Sequence, residues 1–274
     1  MAAEVAVASS DEPVLRPAGA RPVRPRAFAA LVSHLTVRQL RSAHHLTLLG
    51  WGWPIARLLA QLAVLVFLFG HVLHLGIPNY PVFVFVGLVG MNWFSAGVST
   101  AATSVLGQRH FVMQPRLPTS VVPIVAVAVP FVDVLFALPV LVVMLALSTG
   151  LTWGLLALPL IFVLEFVLIS GAAWLVAGVS VFFRDVPNLV GVGLMILFYL
   201  TPVFYAASHI PARFRWVLYL NPLTTIIDAY RWLLLGTPAP GPARLAAVAG
   251  ATVALTILGH RVFTRLAPRF ADYL

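Results

Sequence analysis

The sequence predicts an all-α polytopic membrane protein. It reads as six transmembrane helices, with an N-terminal amphipathic interface helix before them and a re-entrant helical hairpin between spans five and six. Three observations carry this. Of 274 residues, 61% are hydrophobic and only 9% charged, a balance that soluble globular domains do not show. Uncharged runs recur at or beyond the ~20 residues needed to cross a ~30 Å hydrocarbon core. Most arginines flank those runs, as positive charge does in cytoplasmic loops.

The chain divides into 1–27, 28–50 and 51–274. Residues 1–27 are rich in Ala, Pro and Arg with acids at Glu4, Asp11 and Glu12, and read as a disordered cytoplasmic tail with no cleavable signal peptide. In 28–50, Leu31, Leu35, Val37, Leu40 and Leu46 alternate with Arg38, Arg41, His44 and His45. Helical spacing of such residues gives an amphipathic helix lying in the membrane interface. The paired histidines have no acid or thiol near them, so a solvated polar face is favoured over a metal site.

Residues 51–274 form the transmembrane domain. From Leu58 to Gln108 there is no Asp, Glu, Lys or Arg. Turn residues between Gly70 and Pro81 divide this stretch into a first span near 54–74 and a second near 82–104. Asn92, Ser95, Ser99, Thr100, Thr103 and Ser104 give the second span a small, polar side. Such a side commonly makes helix contacts in membranes, and a lining for a hydrated path is the sharper alternative. A cytoplasmic link at 105–120 holds Arg109, His110 and Arg116. The third span, about 121–147, is interrupted by Asp133, and the fourth, about 152–182, contains Glu165. After the charged turn Arg184-Asp185 comes the fifth span, 187–206. The sixth lies between Arg244 and Arg261, a run so short that arginine snorkelling or local thinning is required. Six spans leave both termini cytoplasmic, with 13 arginines inside and Arg213, Arg215, Arg231 and Arg244 outside.

The stretch 183–236 organises the rest. Beyond the fifth span it sets Arg213, Arg215, Asp228 and Arg231 among aromatic residues and is broken by Pro202, Pro211 and Pro222. Interrupted helix at membrane depth is tolerated only against protein or a water-filled cavity, because lipid cannot satisfy free backbone groups. It therefore reads as a hairpin dipping into the outer face, where a substrate is expected.

No motif here turns over a substrate. Cysteine and lysine are absent, so thiol chemistry and a Walker-type loop are excluded, and there is no H-E-x-x-H metal site. The net charge of +9 sits mainly at span ends, which points to membrane topology and not to nucleic acid. Asp133 and Glu165 are the strongest residue-level signals. A carboxylate inside a span marks a pathway or proton relay by default, and a hydrogen-bonded packing role weighs evenly against that. Phe67, Phe198, Tyr199 and Tyr205, among other aromatics, read as interface belt and core. The alternative is a ring-lined channel suited to the C–H faces of sugars.

FRDV at 183–186, LTPVFY at 200–205, Ile210-Pro211 and NPLT…IIDAYR at 221–231 resemble the C-terminal signature of ABC-2 type export permeases. LLGWGWP at 48–54 resembles that family's lead-in to its first span, although Pro54 departs from the usual residue. MQPRLPTSVVP at 113–123 resembles its cytoplasmic helix and third-span start. The resemblance covers about 35–263 and is closest to the permeases that export O-antigen, teichoic acid and mycobacterial galactan. It implies a homodimer of this chain with two copies of a separate ATPase, which binds ATP and Mg. No cofactor is implied in this chain and no catalytic site of its own. The cargo implied is a lipid-pyrophosphate-linked polysaccharide. Carried over, Arg38, Arg41, Arg109, His110, Arg116, Arg184 and Asp185 contact the ATPase. Phe67, Phe198, Tyr199, Tyr205, Arg213, Arg215, Asn221 and Arg231 line the channel or its exit hairpin. An ABC-2 drug or lipid exporter is the runner-up, and a proton-coupled carrier using Asp133 and Glu165 is the alternative from another class.

Overall fold

The computed structural model describes residues 25–44, 50–114 and 118–274, so most of the N-terminal tail, His45, Leu46 and Arg116 lie outside the described residues. The described chain is helical, without a strand. Helix α1, Pro25–His44, is the amphipathic element, and residues 45–49 of the expected 28–50 segment lie outside the described residues. It packs against the helix that begins at Val121, buries Thr36 and Leu40, and leaves Arg38 and Arg41 exposed.

Among the described residues, five helices are long and apolar enough to cross a membrane. The first is α2, Trp53–Leu65, which continues as a π-helical stretch, Val66–Val72. Next come α3, Tyr80–Gly107, and, after the short α4 at Arg109–Val112, helix α5, Val121–Ser148. The fourth is α6, Leu158–Ser180, preceded by a 3-10 turn at Trp153–Ala157. Helices α7 (Val186–Leu200), α8 (Arg215–Leu220) and α9 (Pro222–Leu235) follow. The fifth long helix is α10, Pro242–Leu266, and α11, Phe270–Tyr273, closes the chain.

Two expected spans are corrected. The fifth was expected over 187–206, but α7 ends at Leu200, where Thr201 turns extended and Pro202 follows. Its 15 residues rise about 22 Å at 1.5 Å each, short of a ~30 Å core. The sixth was expected to stop at Arg244 and Arg261, yet α10 runs through both for 25 residues. The uncharged run between the two arginines stays short of a ~30 Å core, so a span here still calls for arginine snorkelling at its ends or local thinning.

Helix α3 is the centre. It is buried over most of its length and carries Phe85, Leu88 and Met91, all fully enclosed. Around it stand α5 and α6, and α9 packs among α3, α6 and α10. Membrane helices lack a hydrophobic drive toward one another and depend on close backbone approach, which small residues allow. The α6–α10 crossing shows this: a β-carbon at Gly259 would overlap the carbonyl of Gly171, so only glycine fits. A second, smaller core joins Val105, Val122, Val181, Phe263 and Phe270, and so gathers the ends of α3, α6 and α10 with the start of α5. By contrast none of α7 is buried, and α2 buries only Leu58 and Leu62.

Candidate functional site

The turn after α7 is held by side chains from two other elements. The break at Thr201-Pro202 takes the chain out of helix, so nearby carbonyls lose helical donors. Arg231 of α9 supplies them. Its Nη1 donates to the Pro202 carbonyl at 2.7 Å, and its Nη2 to the Val203 carbonyl at 2.7 Å. Nε and Nη2 reach the Phe83 carbonyl at 3.3 and 3.2 Å, and the guanidinium lies 3.5 Å over the Phe83 ring. The planar fork of arginine suits such multiple contacts and keeps its charge when buried. Asn221 donates to Thr201 Oγ1 at 2.7 Å and, as the cap of α9, accepts from the Leu223 amide. Tyr80 donates to the Phe204 carbonyl at 2.7 Å.

This corrects the expected role of Arg231. It is 3% exposed, so in this conformation it has no surface for pyrophosphate or sugar. Asn221 is likewise buried and fixes the hairpin. Arg215 closes its own loop by donating to the Ile210 and Ser208 carbonyls. Arg213 stays exposed beside the Phe214 ring. Tyr205 donates to the carbonyls of Tyr199 and Leu200 at the end of α7. Phe198 packs on Phe204, while Phe67 and Tyr199 are largely exposed. Asp228 pairs with Arg244 at 3.1 Å, linking α9 to α10.

The two intramembrane carboxylates have different surroundings. Glu165 is fully buried; its Oε2 accepts from the Tyr230 hydroxyl at 2.6 Å, while its Oε1 has no hydrogen-bond partner among the described residues. Asp133 instead lies on the wall of a cavity of about 520 Å³ bounded by α2, α3, α5 and α7. Arg57, Gln61, Asn92, Ser95 and Ser99 share that wall, and Asn92 donates to Gln61 Oε1 at 3.0 Å. The polar side of α3 thus divides. Asn92, Ser95 and Ser99 face the cavity, whereas Thr103 and Ser104 bond to carbonyls of their own helix.

Arg109 and His110 on α4 and the Arg184-Asp185 turn are exposed, and both segments lie at the end of the bundle that holds the second core. Sequence reasoning did not single out Arg57, Gln61, Thr201, Tyr80 or Tyr230. Arg57 and Gln61 stand one turn apart at the start of a span, a spacing that marks a shared polar face.

A family profile described as ABC-2 type transporter matches residues 30–235. The chain belongs to the ABC-2 type transporter family. This ABC-2 permease is 30% identical over 246 residues to a protein of Klebsiella pneumoniae named O-antigen export system permease protein RfbA, covering 88% of this chain and 93% of that one. A protein of the same name from Myxococcus xanthus is 28% identical over 249 residues, 89% of this chain and 95% of its own. The matched region takes in the α3–α7–α9 knot. An ABC-2 export permease is a membrane subunit, and its several long apolar helices agree with a multi-pass membrane protein.

Proposed function

We propose that this permease is the transmembrane subunit of an exporter that moves a lipid-pyrophosphate-linked polysaccharide, O-antigen-like or a galactan, across the cytoplasmic membrane. The observation that carries the reading is the likeness, over 88% of the chain, to a permease named for O-antigen export. Two copies of the chain form the channel, and two copies of a separate ATPase bind Mg-ATP and supply the energy. The exposed, apolar α7 and the sparsely buried α2 support this, since both leave faces for a second copy to cover.

In this account α7 and the non-helical segment 201–206 together make the fifth of six crossings, and the hairpin of α8 and α9 re-enters the outer face. Helix α1 lies in the inner interface, and both termini are cytoplasmic. Arg38, Arg41, Arg109, His110, Arg184 and Asp185, with Arg116, meet the ATPase. ATP binding draws the ATPases together and rocks each bundle as a rigid body. Arg231 couples α3, α7 and α9 so that they move as one piece. Phe67, Tyr199 and Arg213 keep surfaces toward the channel or its exit. Depleting the chain tests the reading: lipid-linked glycan accumulates on the inner face. Unchanged surface polysaccharide after depletion would overturn it.

A further inference from the structure

We propose that the cavity bounded by α2, α3, α5 and α7 is a subsite that holds one or two sugar residues of the cargo within each copy of the chain. This rests on the polysaccharide reading above. The cavity, about 520 Å³, falls in the range of roughly 300–1,000 Å³ typical of small-molecule pockets. Three helices bring polar groups to it: Arg57 and Gln61 from α2, Asn92, Ser95 and Ser99 from α3, and Asp133 from α5. Helix α7 contributes only Gly191 and Leu194, an apolar wall.

The chemistry of the lining selects a ligand class. The lining holds one arginine and one carboxyl group, so it presents no cluster of cations for an anion, and a single carboxylate is a poor cage for a divalent cation. An acyl chain would leave two amides and two hydroxyls facing hydrocarbon, at a cost for each. A sugar ring is neutral, and each of its hydroxyls both donates and accepts. The Gln61–Asn92 bond uses one oxygen and one amide N–H, and leaves the Gln61 amide donors and the Asn92 carbonyl for a ligand. Val89 and Val134 add apolar surface for the ring's C–H face.

The serines add hydroxyls that are open to a ligand. A hydroxyl in a helix usually bonds back to a carbonyl one turn earlier, as Ser104, Ser170 and Ser180 do here. Ser95 and Ser99 make no side-chain hydrogen bond among the described residues, and both line the cavity. Their donors and acceptors are available to whatever fills it.

The chain lacks cysteine, so a Ser99→Cys reporter can be labelled with a maleimide in the permease–ATPase assembly in nanodiscs. Methyl glycosides of galactose, mannose and glucose are the probes. At about ten times its dissociation constant a bound glycoside slows labelling roughly tenfold, because only the empty fraction reacts. A Ser148→Cys reporter, exposed at the far end of α5, keeps its rate. Adding Gln61→Leu to the Ser99→Cys chain abolishes the protection without changing labelling in the absence of sugar. If no glycoside protects Ser99→Cys, or if protection survives Gln61→Leu, the cavity is a hydrated void only and the proposal falls. Unchanged surface polysaccharide after depletion would instead overturn the reading of the cargo.

Discussion

The Arg231 guanidinium lies 3.5 Å over the Phe83 ring and also donates to the Phe83 carbonyl, so a charge at the hairpin is tied to the central helix by two kinds of contact. Together with the Pro202 and Val203 carbonyls, this makes Arg231 the fastener between α3, α9 and the end of α7.

Removing it should therefore act on folding before it acts on transport. Arg231→Ala strands the Pro202 and Val203 carbonyls, each at about 1–3 kcal/mol, and removes the ring contact with Phe83. Folded permease recovered in mild detergent should drop sharply. Arg231→Lys should rescue only partly, because an ammonium lacks the fork. Normal yield and melting of Arg231→Ala would contradict this placement.

Gly87 leaves the space that Arg231 occupies. A β-carbon there would come 2.9 Å from Arg231 Nη2 and 3.0 Å from the Val203 carbonyl. Gly87→Ala should cost about 1–3 kcal/mol of overpacking and lower the melting midpoint. Ala substitution at Gly107, which faces open space, should leave it unchanged.

Glu165 separates packing from proton coupling. Its bond with Tyr230 ties α6 to α9 within the bundle. Glu165→Gln keeps the shape and an acceptor oxygen, so ATP-driven export should persist near wild-type rate. Export abolished in Glu165→Gln, together with dependence on a pH gradient, would favour a proton-coupled carrier.

The exposed charges at the basic end should decide partner binding. Arg109→Glu with Arg184→Glu should weaken ATPase co-purification severalfold while the permease still inserts and folds. The difference from wild type should be largest at low salt and shrink as added salt screens the charges. Full ATPase recovery at every salt concentration would remove these residues from the contact.

The spans were legible because uncharged runs flanked by arginine have few other physical outcomes, and α3, α5 and α6 follow the expected bounds within a few residues. The end of α7 was not legible. The run through Phe204 stays apolar, and only the tertiary bonds to Thr201, Pro202 and Val203 show where helix gives way. Arg231 was misread for the same reason: sequence shows a charge among aromatics but not the carbonyls that absorb it. Asp133 and Glu165 stood out as charges within spans, yet their surroundings depend on which helix faces meet. Arg57 escaped notice because it begins a span, where a cation reads as an anchor.

The most direct test is purification of the tagged chain from its native membrane, with identification of what co-elutes and of the glycan that accumulates on depletion. The account predicts a stoichiometric ATP-binding subunit and a lipid-linked polysaccharide retained on the inner face. A permease that elutes without any ATPase and whose depletion leaves surface polysaccharide unchanged would contradict it.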